Sequence, residues 1–275
     1  MTLITHIRTK SHTFLVSDSS RRCLYSSHRG DKPDFFLYNK VRKIFYSNIF
    51  SIATFGNYSQ KIEKELDAKL FYISNITDLI VTLKSLIYED RITGNDDFSY
   101  IICDINNSYL LNIKINGEHS LTTFSFNTVY NTTDIKDVND LCENQLFFSP
   151  QYIDNDIIDI DFIISLEILF QQVFKKVYQT EFDIEILMPD NNFFDFINLF
   201  YRNIYEHEYL HRYCINGDIQ VCTYDLTKSN WNFQELKSEI KWYQIPIDVT
   251  FQEWFKNCKK PDFNDLTNIR YDFNI

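Results

Sequence analysis

The chain has 275 residues, which is long enough for one large domain or for a domain with an appended region. Its formal net charge of −11 opposes binding to phosphate backbones, so nucleic acid is not an expected partner. Six cysteines occur without CxxC spacing, and no apolar run approaches the ~20 residues of a membrane span. With no apolar signal-peptide region at the front either, these features predict a cytoplasmic, soluble protein without a disulfide framework or a membrane partner.

The first 55 residues contain two pairs of short apolar, β-branched runs. The first pair, 2–7 and 13–17, predicts a β-hairpin, because each run has strand composition and the residues between them have turn composition. The second pair, 41–46 and 49–54, predicts another hairpin. Between the two pairs, residues 26–39 contain a glycine and a proline and predict a loop.

Apolar residues then recur at helical spacing over 62–73 and over 76–87. This pattern predicts two consecutive amphipathic helices. The second helix is expected to be capped by Asn75 or Thr77, because short polar side chains accept hydrogen bonds from the free amides of a helix start.

Strands are predicted beyond these helices at 98–105 and 109–115, joined by a short polar turn, and at 121–129. A strong amphipathic helix is predicted over 162–178, since its apolar residues share one face. A strand at 182–188 is expected to follow it.

The acidic, Asn-rich segment 130–160 allows no assignment, and a further helix is predicted over 193–213. The segment Pro189-Asp190-Asn191 is the best candidate for a boundary, because it combines proline with turn-forming residues. The predicted organisation is a domain over 1–189 and a helical or mixed C-terminal extension over 190–275 packed on it.

Thr2 directly follows Met1 and opens the first predicted strand. If Met1 is removed, Thr2 carries both a hydroxyl and a free α-amine, whose ordinary pKa of about 8 lets it act as the general base for that hydroxyl. Taken alone, the dipeptide favours the simpler interpretation of a chance small residue at a strand start.

Further short motifs follow in a fixed order. The second strand ends in Ser17-Asp18-Ser19, a lysine lies in Val41-Arg42-Lys43-Ile44, and Ile52-Ala53-Thr54-Phe55-Gly56 leads into the predicted helix pair. Together with Thr2 these motifs resemble the proteasome β-subunit family of N-terminal nucleophile (Ntn) hydrolases. The resemblance covers roughly the first 115 residues by pattern.

The resemblance implies an α+β fold, an Ntn-hydrolase-like αββα sandwich with a C-terminal extension, in agreement with the order of predicted strands and helices. It implies threonine-type hydrolysis of peptide or amide bonds without a cofactor. Thr2 would be nucleophile and base, Asp18 and Lys43 the charge pair that prepares its hydroxyl, and the Gly56 backbone amide the oxyanion donor. A peptide or protein substrate, a homo-oligomeric ring and a possible ATPase partner are implied as well.

Each of these residues also has a structural interpretation. Asp18 could form an Asx-turn at a strand end, Lys43 could protect a sheet edge, and Gly56 could serve a turn. The family's Gly-Ser-Gly loop is absent from the sequence, and residues 179–181 contain no Asp and Ser pair where the family has one. A catalytically inactive, proteasome-like scaffold that binds a partner is therefore the alternative function.

A third hypothesis comes from the sequence His-Glu-Tyr-Leu-His, which starts at His207 and matches the HExxH pattern on a predicted helix. In zinc hydrolases the two histidines, here His207 and His211, bind the metal, and the glutamate, here Glu208, activates water. Glu235 or Glu239 could supply a third ligand. The simpler interpretation is a solvated polar helix face.

Overall fold

The computed structural model describes residues 3–26, 33–56, 59–90, 98–124, 128–129, 160–207, 217–238, 257, 259 and 261–270. Within these ranges the chain forms two five-stranded sheets, a two-stranded ribbon and four α-helices. No helix in the described part of the chain is long and apolar enough to cross a lipid bilayer.

The first sheet is antiparallel throughout and joins the two ends of the chain. In spatial order its strands are β10 (Thr128–Val129), β1 (Ile4–Arg8), β2 (His12–Asp18), β11 (Ile219–Asp225) and β12 (Asn230–Leu236). Strands β1 and β2 form the predicted first hairpin. Strand β11, from the region predicted as a mixed tail, pairs with β2 along its whole length, which places it in the interior of the sheet.

The second sheet is an antiparallel meander whose strands follow one another in chain order. They are β5 (Ile44–Tyr46), β6 (Ser51–Gly56), β7 (Phe98–Cys103), β8 (Ser108–Ile113) and β9 (His119–Phe124). Strands are therefore confirmed in all of the regions where the sequence predicts them between residues 41 and 124.

A ribbon of two strands, β3 (Ser20–Ser26) and β4 (Pro33–Lys40), includes the described residues of the loop predicted over 26–39, of which residues 27–32 lie outside the described residues. For residues 33–39 the loop prediction is wrong because the proline occupies the first position of β4, where its missing N–H is tolerated. Pairing with a strand earlier in the chain then decides the conformation of this segment.

The four helices are α1 (Gln60–Lys69), α2 (Ile76–Glu89), α3 (Ile160–Tyr178) and α4 (Asn191–Glu206). They confirm the helices predicted from apolar periodicity. Of the two candidate caps, Asn75 is the residue before α2, and its side chain accepts a hydrogen bond from the amide of Asp78.

Two local predictions after residue 178 differ from the structure. The predicted strand over 182–188 is a 3₁₀ turn at Ile184–Ile186. Its buried residues, Ile184 and Leu187, lie three positions apart, a spacing that suits one helical turn and not a strand. Helix α4 ends at Glu206, before the predicted end, and the remaining predicted helical residues from position 208 on lie outside the described residues.

Buried apolar side chains form three clusters that define the layers. One cluster lies between α3, α4 and the first sheet, and a second between α1, α2 and the second sheet. The third lies between the sheets and combines Ile4 and Leu15 with Ile44, Ala53 and Ile101. The predicted mixed fold of helices and antiparallel sheets is confirmed, and the layers run helices, sheet, sheet, helices.

The predicted division at residue 190 stays a prediction. Helices α3 and α4 lie on either side of it, and both contribute side chains to the first cluster. Strand β11, from the predicted extension, pairs with β2 from the predicted domain.

Candidate active site

The structure brings Asp18 and Lys43 together where the two sheets meet. Asp18 ends β2, and Lys43 immediately precedes β5. The Lys43 Nζ lies 2.9 Å from the Asp18 Oδ1, and the two side chains are 2% and 0% exposed respectively. Because both charges leave water, such a pair is stable only when further hydrogen bonds satisfy its remaining polar groups.

Those hydrogen bonds come from Leu3 and Ser20, which lie beside the Asp18 carboxylate. The Asp18 Oδ1 also accepts from the Leu3 amide at 2.9 Å, and Oδ2 accepts from the Ser20 amide at 3.2 Å and from the Ser20 hydroxyl at 3.0 Å. The bond to the Ser20 amide is the Asx-type contact expected if Asp18 has a structural role at the strand end, and it coexists with the ion pair. The carboxylate therefore binds Lys43 and the residue that follows Thr2.

The backbone of Lys43 is bound from both sheets. Its amide donates to the Gln220 Oε1 at 2.8 Å, and its carbonyl accepts from the Thr54 amide at 2.9 Å. Gln220 was not among the residues that sequence reasoning selected. The sequence signal for it is weak, because it is only a polar residue within a largely apolar strand.

Two buried tyrosines of α4, Tyr201 and Tyr205, lie near the same carboxylate. The Tyr201 hydroxyl is 3.5 Å from the Leu3 carbonyl oxygen and 3.5 Å from the Thr5 hydroxyl. Burial and the charge of Asp18 raise the pKa of both tyrosines well above the ordinary value. Both tyrosines therefore stay neutral and pack in the core, and the Tyr201 hydroxyl also acts as a hydrogen-bonding group. The sequence places them only within the helix predicted over 193–213.

A second set of charges lies beside the first. Asp218 immediately precedes Ile219, the residue that pairs with Asp18 across the sheet. Its carboxylate is 2.8 Å from the Lys40 Nζ, 3.3 Å from the Lys237 Nζ and 2.9 Å from the amide of Ser238. Burial opposes ionisation of Asp218, but the hydrogen bonds from these three donors outweigh it and lower its pKa.

The structure gives less information on the other two predicted catalytic residues, Gly56 and Thr2. Gly56 ends β6 opposite Phe98, two residues beyond Thr54, whose amide binds the Lys43 carbonyl. Thr2 lies outside the described residues. The catalytic roles of Thr2, Asp18, Lys43 and Gly56 stay predictions.

The HExxH pattern also stays a prediction, because Glu208, His211 and Glu239 lie outside the described residues. His207 follows the end of α4, and its Nε2 lies 2.7 Å from the carbonyl oxygen of Asn268. Burial lowers the pKa of His207, so the neutral ring donates this bond.

The proposed third ligand is engaged elsewhere, since the Glu235 Oε2 lies 2.7 Å from the Lys237 Nζ. Within the part of the chain that the structure describes, no three His, Cys, Asp or Glu residues are grouped so that they could hold a metal ion.

No model of a known protein family matches this chain, and no curated protein matches it. Among solved structures, the Gly-1 mutant of Anbu from Hyphomicrobium sp. strain MC1 is similar over 93% of this chain and 92% of that chain, with 10% sequence identity and a TM-score of 0.38. A similarity of this size assigns neither a fold family nor a function.

Proposed function

We propose that the chain is a threonine-type Ntn peptidase or amidohydrolase that resembles a proteasome β-subunit, with Thr2 as nucleophile after removal of Met1. One observation carries the proposal. A single carboxylate oxygen of Asp18 accepts from both the Lys43 ammonium and the Leu3 amide, each at 2.9 Å.

The Leu3 contact is what distinguishes this pair from a purely structural one. Buried ion pairs occur in many cores and are weak support for function by themselves. Here, however, the amide that Asp18 binds belongs to the peptide bond between Thr2 and Leu3. The pair is thereby anchored one residue from the proposed nucleophile. A lysine charge held there favours ionisation of a nearby hydroxyl and the neutral form of a nearby amine.

The proposed reaction needs no cofactor. The Thr2 amine removes the proton from its own hydroxyl as the hydroxyl oxygen attacks the substrate carbonyl carbon, and the Gly56 amide stabilises the oxyanion. The carbon–nitrogen bond then breaks, and the leaving amine takes the proton. The Thr2 amine then removes a proton from a water molecule, which hydrolyses the resulting ester and restores Thr2. Lys43, oriented by Asp18, supplies positive charge throughout.

A catalytically inactive, proteasome-like scaffold is the second candidate. The sequence contains no Gly-Ser-Gly, and between Tyr178 and Ile184 it contains no Asp and Ser pair. The one aspartate there, Asp183, caps the following 3₁₀ turn by accepting from the amide of Glu185. In this case the residues around Asp18 would serve only to hold the sheets together.

Intact mass spectrometry of the purified protein, before and after treatment with a threonine-directed β-lactone, tests the proposal. We expect Met1 to be absent and one label to attach to Thr2. Thr2→Ala should abolish labelling, and Lys43→Met should slow it by roughly a hundredfold, a typical loss when one electrostatic stabilising group is removed. A protein that retains Met1, or that is not labelled at Thr2, contradicts the hydrolase and supports the scaffold.

Lys40→Met is the matched control. Lys40 is three residues from Lys43 and is also paired with an aspartate, but its side chain is 47% exposed and its partner is Asp218. We expect near-normal labelling of this variant. An equal loss in both variants would mean that lysine removal acts through general disruption of this end of the sheets.

A homo-oligomeric ring, a peptide or protein substrate, an ATPase partner and a cytoplasmic location are proposed from the same resemblance. Native mass spectrometry checks the first of these, with a closed ring as the expected result. A monomer across the micromolar range would contradict it.

A further inference from the structure

The side chain of Gln220 makes three hydrogen bonds to the chain segment that contains Lys43. Its Oε1 accepts from the amide of Lys43 at 2.8 Å and from the amide of Ile44 at 3.2 Å. Its Nε2 donates to the carbonyl oxygen of Val41 at 2.9 Å. Gln220 is 2% exposed, so water does not replace these contacts.

The segment needs such a partner because it lies between strands. Residues 41–43 follow β4 and precede β5, and they belong to neither strand; the second amide bound by Gln220, that of Ile44, is at the first position of β5. Buried backbone amides and carbonyls outside a strand are costly unless something else satisfies them. The primary amide of Gln220 does so, since it offers an acceptor with two lone pairs and a donor on the same rigid group.

Gln220 also has a fixed position relative to Asp18. It lies on β11, where it pairs with Ser17, while its neighbour Ile219 pairs with Asp18. The strand that holds the carboxylate in register therefore also carries the amide that holds the lysine backbone. A shift of this amide would change the distance between Lys43 and Asp18.

We propose that Gln220 is a positioning residue for Lys43, which sets the place of the lysine ammonium relative to Asp18 and the start of the chain. Its significance for catalysis rests on the proposed function, in which Lys43 acts on Thr2. Gln220 itself touches none of the reacting atoms.

The chemistry of the contact limits the side chains that can replace glutamine. Methionine has a similar length and shape but offers none of the three hydrogen bonds. Glutamate keeps the acceptor for the two amides, whereas it presents an oxygen to the Val41 carbonyl, where a donor is required. Gln220→Met should therefore release the segment, and Gln220→Glu should do so in part.

The first test is the pH dependence of β-lactone acylation at Thr2. In wild type the rate should rise with pH as the Thr2 amine loses its proton, with a midpoint that the nearby lysine charge holds low. In Gln220→Met we expect acylation to be slower by about tenfold or more, because small displacements of a catalytic group have large effects. We also expect the midpoint to move to higher pH. A purely structural role would reduce the amount of active protein without moving the midpoint.

The second test does not depend on Thr2. Trace labelling with acetic anhydride, read by peptide mass spectrometry, compares the reactivity of Lys43 between variants at one pH. We expect a several-fold increase in Gln220→Met and a smaller increase in Gln220→Glu, because a displaced lysine becomes accessible. Gln234→Met is the control, since Gln234 is an exposed glutamine on the neighbouring strand β12, and it should leave Lys43 unchanged.

The outcomes separate the two proposals. A wild-type protein that is not labelled at Thr2 overturns the proposed function, and Lys43 reactivity then decides the positioning role alone. Unchanged Lys43 reactivity in folded Gln220→Met overturns the positioning role even if Thr2 is labelled. If Gln220→Met does not fold, the same comparison in Gln220→Glu decides the matter.

Discussion

At the scale of single residues, buried charges connect the two sheets at both ends of the β1–β2 hairpin. At one end the Asp18 carboxylate binds the Lys43 ammonium. At the other end the fully buried Arg8 guanidinium donates to the carbonyl oxygens of Asp104 and Ile105 and to the hydroxyl of Ser108. Since each charge is desolvated, its hydrogen bonds hold the sheets in a defined relative position. The end of the hairpin at Asp18 differs from the end at Arg8, because the Asp18 carboxylate also binds the backbone amide of Leu3, next to Thr2.

Gly217 allows a close approach of two chain segments beside Asp18. Its φ is +88°, and a Cβ added to it would lie 2.7 Å from the Ser19 hydroxyl oxygen and 3.3 Å from the Ser20 amide nitrogen. Gly217→Ala should therefore lower the free energy of unfolding by about 2–4 kcal/mol, from backbone strain and this contact together. Urea denaturation measures the change.

Gly117→Ala provides the comparison, because Gly117 has a φ of +86° but no atom within 4 Å of the added Cβ. It should lose only about 1 kcal/mol, the strain contribution. Equal losses in the two variants would show that the approach to Ser19 and Ser20 does not contribute to stability.

His6 makes stability depend on pH. Burial lowers its pKa from 6.5 to about 3. The unfolded chain therefore binds a proton near pH 6.5, whereas the folded chain does not until about pH 3. The contribution of neutral His6 is complete above pH 6.5 and is lost as the pH falls, by about 1.4 kcal/mol for each pH unit.

We expect the free energy of unfolding to fall by about 2 kcal/mol between pH 6.5 and pH 5 from this residue. In His6→Gln the slope of the free energy of unfolding against pH over that interval should be smaller, by the equivalent of about one bound proton. Urea titrations at several pH values measure this slope. His119→Gln, at an exposed position in β9, should keep the wild-type slope, and an unchanged slope in His6→Gln would contradict the prediction.

At the scale of elements, the start of α2 is defined by one side chain. The Asn75 Oδ1 accepts from the Asp78 amide at 2.9 Å, and its Nδ2 donates to the Asp78 carboxylate at 2.6 Å. Asn75→Ala should lower the free energy of unfolding by about 1 kcal/mol, as for other lost N-caps. Thr77→Ala, one residue inside the helix, should change it by less than about 0.5 kcal/mol. Thermal unfolding monitored by circular dichroism compares them, and the reverse order would identify Thr77 as the cap.

At the scale of the whole molecule, the first sheet needs both ends of the chain. A fragment of residues 1–189 lacks β11, which pairs with β2, and lacks α4, which contributes Phe193, Phe196 and Phe200 to the first apolar cluster. We expect this fragment not to fold cooperatively, because the apolar faces of β2 and α3 would be exposed. Circular dichroism and thermal denaturation beside the full chain test this. A cooperative transition in the fragment would support the division at residue 190.

Local sequence pattern predicted the long helices and the first hairpin. The helices α1, α2 and α3 follow from apolar periodicity, and the β1–β2 hairpin follows from the strand and turn composition of its residues; both signals depend on neighbouring positions only. The strand predicted over 182–188 is wrong because a short apolar run does not distinguish one turn from a strand. Strand β4 was missed because its pairing with β3 outweighs the local turn signal.

The sequence by itself determined the class of the fold and, through resemblance, the residues Asp18 and Lys43 as candidates. Only the tertiary structure decided that they form a buried pair and that this pair binds the amide of Leu3. It alone identified Gln220, which lies 177 positions from Lys43 along the chain. The physical reason is that periodicity reports which face of a segment is buried, whereas contact between distant polar groups depends on strand register and layer packing.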